Sequence, residues 1–258
     1  MNLILNWFLM ILPFALWGTS MAAMTPLVST GGPEFVAFLR LFPAGILVLI
    51  TTYLLKRDLK IYRCDLKWFI VFTIVDATFF QLFLTYGISK TGAGLGSVLI
   101  DSQPLIVALL ARAIFGNLIN PIGWLGLLFG LGGIIFLGFP QEFLENWWLM
   151  SDANLGDIDF NVGEAWMLAA ALSMALGTIL IRLTCTKSDP VSVTGWHMVF
   201  GSLPLIIKYF VDTNFQSLPN WTFTDWGLMS FASIFGSAIA YGLFFYFANN
   251  KEITGFST

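Results

Sequence analysis

Runs of about twenty apolar residues recur along this chain with almost no charge inside them. That is the length an α-helix needs to cross about 30 Å of hydrocarbon. Eight such runs stand between charged or turn-forming breaks, at 7–28, 35–55, 68–87, 93–115, 121–139, 165–184, 191–211 and 226–248. In lipid a segment must satisfy its backbone hydrogen bonds internally, so each run is expected to be a helix. The expected fold class is an all-α polytopic membrane protein with eight transmembrane helices in the chain.

Charge excludes several functions. Only 10% of the 258 residues are charged, against about a quarter in soluble domains. The twelve Lys and Arg are scattered and form no basic face, which argues against nucleic acid as a partner. Cys64, Cys185 and the single His197 are too few for a disulfide framework or a zinc site. No G-x-x-x-x-G-K-[ST] run offers a phosphate cradle for ATP. An intramembrane enzyme would need clustered His, Asp or Glu or a Ser/His pair, and the few buried ionisable residues are dispersed. Neither enzyme activity nor a cofactor is expected.

Orientation follows from the cations, because cytoplasmic loops hold the excess of Lys and Arg. Lys56, Arg57, Lys60, Arg63 and Lys67 crowd the second connection, so that connection is expected in the cytoplasm. Alternation then puts Arg112, Arg182, Lys187 and Lys251 on the same side. Glu34, Glu142, Glu145, Asp152, Asp157, Asp159, Asp212 and Asp225 fall outside, with Lys90 and Lys208 as exceptions. The amino terminus is expected inside. The Ser20-Met21-Ala22 run imitates a signal-peptide cleavage site, but no positive charge precedes the apolar run, so it reads as a retained span.

The chain also resembles itself. A shift of 157 residues places Pro33 on Pro190, Arg40 on His197 and Gly18 on Ala175. Further along, a shift of 161 places Lys90 on Lys251, Gly94 on Gly255 and Ser97 on Thr258. A repeat with an odd number of helices re-enters the membrane inverted, the arrangement of many secondary transporters. The division expected is a five-helix repeat over 1–140, an acidic outer linker over 141–162 carrying Trp147-Trp148, and a second repeat over 163–258. The second repeat reads as about two helices short of the first. A natural eight-span protein, or an inactive fragment or assembly partner, is the competing reading.

Several residues carry a family resemblance: Trp17-Gly18 in the first run, Pro33 with Phe38-Leu39-Arg40 in the second, Gly94-Leu95-Gly96-Ser97 and Pro104 in the fourth, the glycines of the fifth, Pro190, and Gly255-Phe256-Ser257. With them the chain resembles the EamA-type permeases of the drug/metabolite transporter superfamily, across nearly its whole length. The resemblance implies ten spans in two inverted five-helix repeats, and transport of a small organic metabolite such as an amino acid across a bacterial plasma membrane. Proton-coupled export is one mode it suggests, and a homodimer is left open. Where many members have a Glu after the fourth helix, this chain has Asn117.

Charged or polar residues deep in spans normally face a partner or a water-filled cavity. Arg40, Asp101 and Gln81 share roughly one depth, and an internal Arg40–Asp101 ion pair is one expectation. Asp76 lies nearer the midplane, where inverted-repeat carriers bind substrate, and no basic residue of its own half is left to neutralise it. Asp76 and Asp101 are the leading candidates to line a central cavity and hold substrate or a proton. His197, the counterpart of Arg40, is a weaker candidate, as a proton relay. Trp17, Tyr86 and Tyr241 are aromatic candidates for contact with cargo. Gly126 with Gly130, and Ala232 with Gly236 and Ala240, are expected to let helices approach closely. Pro13, Pro43, Pro104 and Pro204 are expected inside spans.

Overall fold

The computed structural model describes residues 3–116, 118–138, 162–213 and 218–250. Among them the chain forms eight helices: α1 (Leu3–Gly31), α2 (Pro33–Leu54), α3 (Leu66–Ile100), α4 (Gln103–Phe115), α5 (Pro121–Gly138), α6 (Val162–Thr184), α7 (Pro190–Asp212) and α8, which begins at Phe223. Six of them are long and apolar enough to cross a membrane, and α4 and α5 are shorter apolar helices. The chain is thus an all-α polytopic membrane protein. Asn117, Trp147-Trp148 and the acidic linker, Lys251 and the Gly255-Phe256-Ser257 run lie outside the described residues.

Helix α3 departs from the expected spans. A straight helix of its 35 residues would measure about 52 Å, far beyond about 30 Å of hydrocarbon. The backbone leaves helical geometry at Gly92 (φ 73°, ψ 178°), a conformation open mainly to glycine. This break falls between the third and fourth apolar runs. The fourth run is divided again, because helix geometry ends at Asp101 and α4 starts at Gln103. Pro104 then occupies the first turn of α4, where its missing N–H costs nothing, and not the helix interior expected for it. Pro13, Pro43 and Pro204 do lie inside helices.

Glycines set how closely the helices pack, and of the small residues the spacing singled out all but Gly126 are packed. Gly126 has nothing within 4 Å of where a Cβ would sit, whereas Gly130 meets Leu105. Gly236 meets Ser20, and Ala232 and Ala240 are fully buried. Helices α2 and α7 pack along an extensive contact. There a Cβ on Gly45 would lie 2.9 Å from the Gly195 carbonyl, and one on Gly195 would lie 2.8 Å from the Leu49 side chain. Each glycine seats the other helix's backbone, the close approach that membrane interfaces use in place of a hydrophobic driving force.

At the basic end, the 56–65 loop is clasped to the α6–α7 turn. The Asp65 carboxylate, fully buried, accepts from the Thr186 hydroxyl, from the Lys187 and Ser188 amides at 3.0 and 2.8 Å and from the Ser188 hydroxyl at 2.8 Å. Burial pushes this carboxyl up, but the hydrogen bonds from Thr186, Ser188 and the two amides outweigh it and hold the pKa at about 2. Arg57 pairs with Asp189 at 2.7 Å, and Trp196 Nε1 donates to the Leu59 carbonyl at 2.9 Å. Asp189 also caps α7, accepting from the Val191 and Ser192 amides. Cys185 lies beside this clasp, its thiol pushed up by burial and then by Asp65 and Asp189.

At the other end the contacts are aromatic. Trp221 donates from Nε1 to Thr30 Oγ1 at 3.2 Å and packs on Phe35 with ring centroids 5.4 Å apart. Lys208, out of place by the charge rule, lies 3.0 Å from Glu34 and also pairs with Asp212. It is a neutralised cation at an acidic end.

Two outcomes test this packing. Gly195→Ala should destabilise the protein by about 1–3 kcal/mol through overpacking, measured by thermal unfolding in detergent, while Gly126→Ala should not. Asp65→Asn should destabilise the protein and speed maleimide labelling of Cys185. Because the Asp65 pKa is depressed, its stabilisation is complete above the unfolded value of about 3.9 and fades as pH falls through about 2. The stability gap between wild type and Asp65→Asn should therefore shrink as the pH drops from 5 to 2.

Candidate functional site

Two helices widen into π geometry at their centres, α3 over Thr73–Phe79 and α8 over Ile234–Ile239. The shift of 161 residues superposes these segments, placing Thr73 on Ile234 and Asp76 on Ser237. Such bulges recur at functional sites, and here each turns a polar side chain into the interior.

Arg40, on α2, is 1% exposed. Its Nε donates to Ser237 Oγ at 3.0 Å, Nη1 to Gln81 Oε1 at 3.3 Å and Nη2 to the Gly236 carbonyl at 3.3 Å. Gln81 in turn donates from Nε2 to the Tyr241 hydroxyl at 2.8 Å. Arg40, Gln81 and Tyr241 thus form one network tying α2, α3 and α8 together; of the three residues expected at one depth, Arg40 and Gln81 meet and Asp101 does not join them. Every acceptor of the guanidinium is neutral. The expected Arg40–Asp101 ion pair is not among the ion pairs of the described residues. Two of the five guanidinium N–H groups remain for another acceptor.

Arg40 and Tyr241 border a cavity of about 730 Å³. Phe14, Trp17, Met21 and Met174 give it an apolar wall, and Asp101 with Gln103 and Ser97 gives it a polar one. Trp17 packs against Tyr241 with centroids 5.3 Å apart, and its buried Nε1 has no hydrogen-bond partner, as is also true of Ser102 Oγ. Asp101 is exposed because the helix break that ends α3 carries it to the cavity wall. Gln103 Nε2 donates to Thr178 Oγ1 at 3.1 Å, anchoring α4 to α6 behind it.

Asp76 does not border this cavity. It is paired with His197 of α7, Nε2 lying 3.1 Å from Oδ2. The basic partner absent from its own half thus comes from the other half. Phe72 stacks on the imidazole at 4.4 Å, and Gly177 of α6 leaves the space that the Asp76 carboxylate fills. Tyr86 bonds to Glu34 near the helix end, away from the cavity lining. The sequence alone does not single out Ser237, Gly177, Thr178 or Gln103, and it marks Gly236 only as a packing residue. Ser237 could have been found, since it is the residue the 161 shift places on Asp76. Among the described residues no group of three or more His, Cys, Asp or Glu could hold a metal ion.

Comparison with known proteins agrees with this architecture. The EamA-like transporter family model matches residues 5–139 and 161–257. An uncharacterized transporter of Synechocystis is 46% identical over 96% of this chain and 76% of its own length. The chloroplastic WAT1-related protein of Arabidopsis thaliana is 42% identical over 98% of this chain, which spans only 60% of that protein. The uncharacterized transporter YoaV of Bacillus subtilis is 25% identical over 92% of this chain and 77% of its own length. With most of its length matched and its apolar helices in place, the chain belongs to the EamA-like transporter family of the drug/metabolite transporter superfamily and is a multi-pass membrane transporter.

Proposed function

We propose that the protein is a secondary carrier moving a small organic metabolite across the plasma membrane by alternating access, with the amino terminus in the cytoplasm. The observation that carries this reading is the cavity with Arg40 at its edge, a buried guanidinium supplied only with neutral acceptors. An uncompensated charge in an apolar interior is costly and is retained where it meets a ligand or a water-filled path. A substrate carboxylate would supply the missing negative charge through the two remaining N–H groups. Asp101, on the same cavity wall, would accept an ammonium group, and the aromatic and Met side chains would cover an apolar body. This supports a metabolite with a carboxylate and an apolar portion, an amino acid or a close relative.

The two ends of the bundle support alternation. One is closed by a hydrogen-bonded clasp around Asp65 and the other by Trp221 on Thr30. Helices of the 1–140 and 163–258 repeats contribute to both closures, so rocking one repeat against the other would open one end as the other shuts.

Binding of simple probes to the full chain in detergent tests the reading. Phenylalanine and phenylpropionate should raise the unfolding midpoint in a concentration-dependent way, and phenethylamine, which lacks the carboxylate, should not. Arg40→Gln should weaken carboxylate binding at least tenfold. Asp101→Asn, at an exposed position, should weaken phenylalanine more than phenylpropionate. Equal stabilisation by phenethylamine, or none by any probe together with no flux of them in proteoliposomes, would count against this reading.

A further inference from the structure

The Asp76–His197 pair lies outside the cavity, and its geometry fixes how many protons it holds. His197 Nδ1 is 2.5 Å from the Thr194 carbonyl oxygen, an atom that can only accept, so Nδ1 carries a hydrogen. A neutral imidazole protonated there presents a bare lone pair at Nε2. That lone pair lies 3.1 Å from Asp76 Oδ2, and a carboxylate oxygen has no hydrogen to offer it. The contact is bonding only if one further proton sits between the two atoms, on Nε2 or on the carboxyl.

The surroundings isolate that proton. Both residues are 1% exposed. Phe72 stacks on the imidazole, and Phe245 meets it edge-on at 5.6 Å. From α6 the pair is faced by Gly177, where a Cβ would strike the carboxylate. From α8 it is faced by Tyr241, which interacts electrostatically with both Asp76 and the Arg40 guanidinium of α2. Asp76 Oδ1 has no hydrogen-bond partner, so the carboxylate depends on His197.

The same shifts that relate the two halves explain why this pair differs from its neighbour. A shift of 157 takes Arg40 to His197 and a shift of 161 takes Asp76 to Ser237. The Arg40–Ser237 contact at 3.0 Å is therefore the counterpart of the His197–Asp76 contact. One half holds a permanent cation against a hydroxyl, which does not titrate near neutral pH. The other holds an imidazole against a carboxyl, two groups that can share one exchangeable proton.

We infer that the Asp76–His197 pair is the carrier's proton-binding site, distinct from the substrate cavity, and that loss of its one exchangeable proton unlinks α3 from α7. This rests on the carrier reading above. In the step, the shared proton leaves for water on whichever side the pair has opened to. It leaves a neutral imidazole protonated at Nδ1 and an Asp76 carboxylate, whose facing lone pairs repel and part the helices. Uptake of one proton from water restores the link.

His197 is the single histidine of the chain, so the imidazole ¹⁵N spectrum of the full protein in liposomes reports this site alone. The expected result is a protonated Nδ1 at every pH and an Nε2 that shares a proton at pH 6 and loses it as the pH rises to 9. The wild-type unfolding midpoint in detergent should fall by about 3 °C over that range, and His197→Gln and Asp76→Asn should flatten the curve. An Nε2 that is bare at pH 6, or one that keeps its proton through pH 9, would overturn the inference on the wild-type protein itself. Proton exchange at Nε2 without any probe flux in proteoliposomes would uphold this site while refuting the carrier reading.

Discussion

A guanidinium buried among apolar helices and met only by neutral oxygens constrains the rest of this structure. Arg40 is 1% exposed, so the surrounding helices must bring acceptors to it. Ser237, Gly236 and Gln81 do so from α8 and α3, and Ser233 Oγ donates to the Arg40 backbone carbonyl at 3.2 Å. The π segment in α8 exposes the Gly236 carbonyl that a regular helix would have consumed. The charge thus orders three helices at one point and leaves a polar edge on the cavity beside it.

The opposite half solves the same spatial problem with different chemistry. His197 stands where Arg40 stands and Asp76 where Ser237 stands, in a matching π segment of α3. Small residues make both arrangements possible, Gly177 beside Asp76 and Gly236 beside Ser20. The shift of 157 residues that aligns Arg40 with His197 also aligns Ser20 with Gly177. Between these two polar centres, α2 and α7 cross through Gly45 and Gly195.

Much of this was legible in the chain. The length of the apolar runs located the helices, and isolated polar residues within them, Arg40, Asp76, Gln81 and His197, mark the interior because they are costly against lipid. What stayed hidden depends on the partner helix. Asp76 and His197 are 121 residues apart, and nothing local couples them. The Arg40–Asp101 pair followed from shared depth, but depth along a helix says nothing of the direction a side chain takes, and Asp101 sits at a helix break. Gly126 and Gly130 have the spacing of a packing motif, yet Gly126 faces open space, since spacing alone does not supply a neighbour. Gly92 became recognisable as a break only through its left-handed φ.

The central claim is that the polar centre lies between two halves that move against each other. The most direct measurement is the distance distribution between spin labels on the 56–65 loop and the α6–α7 turn, at Lys60 and Lys187, for the full chain in liposomes at pH 6 and pH 9. The account predicts two interconverting distances, with the longer one gaining population as the Asp76–His197 proton is lost. A single unchanging distance at both pH values would contradict it.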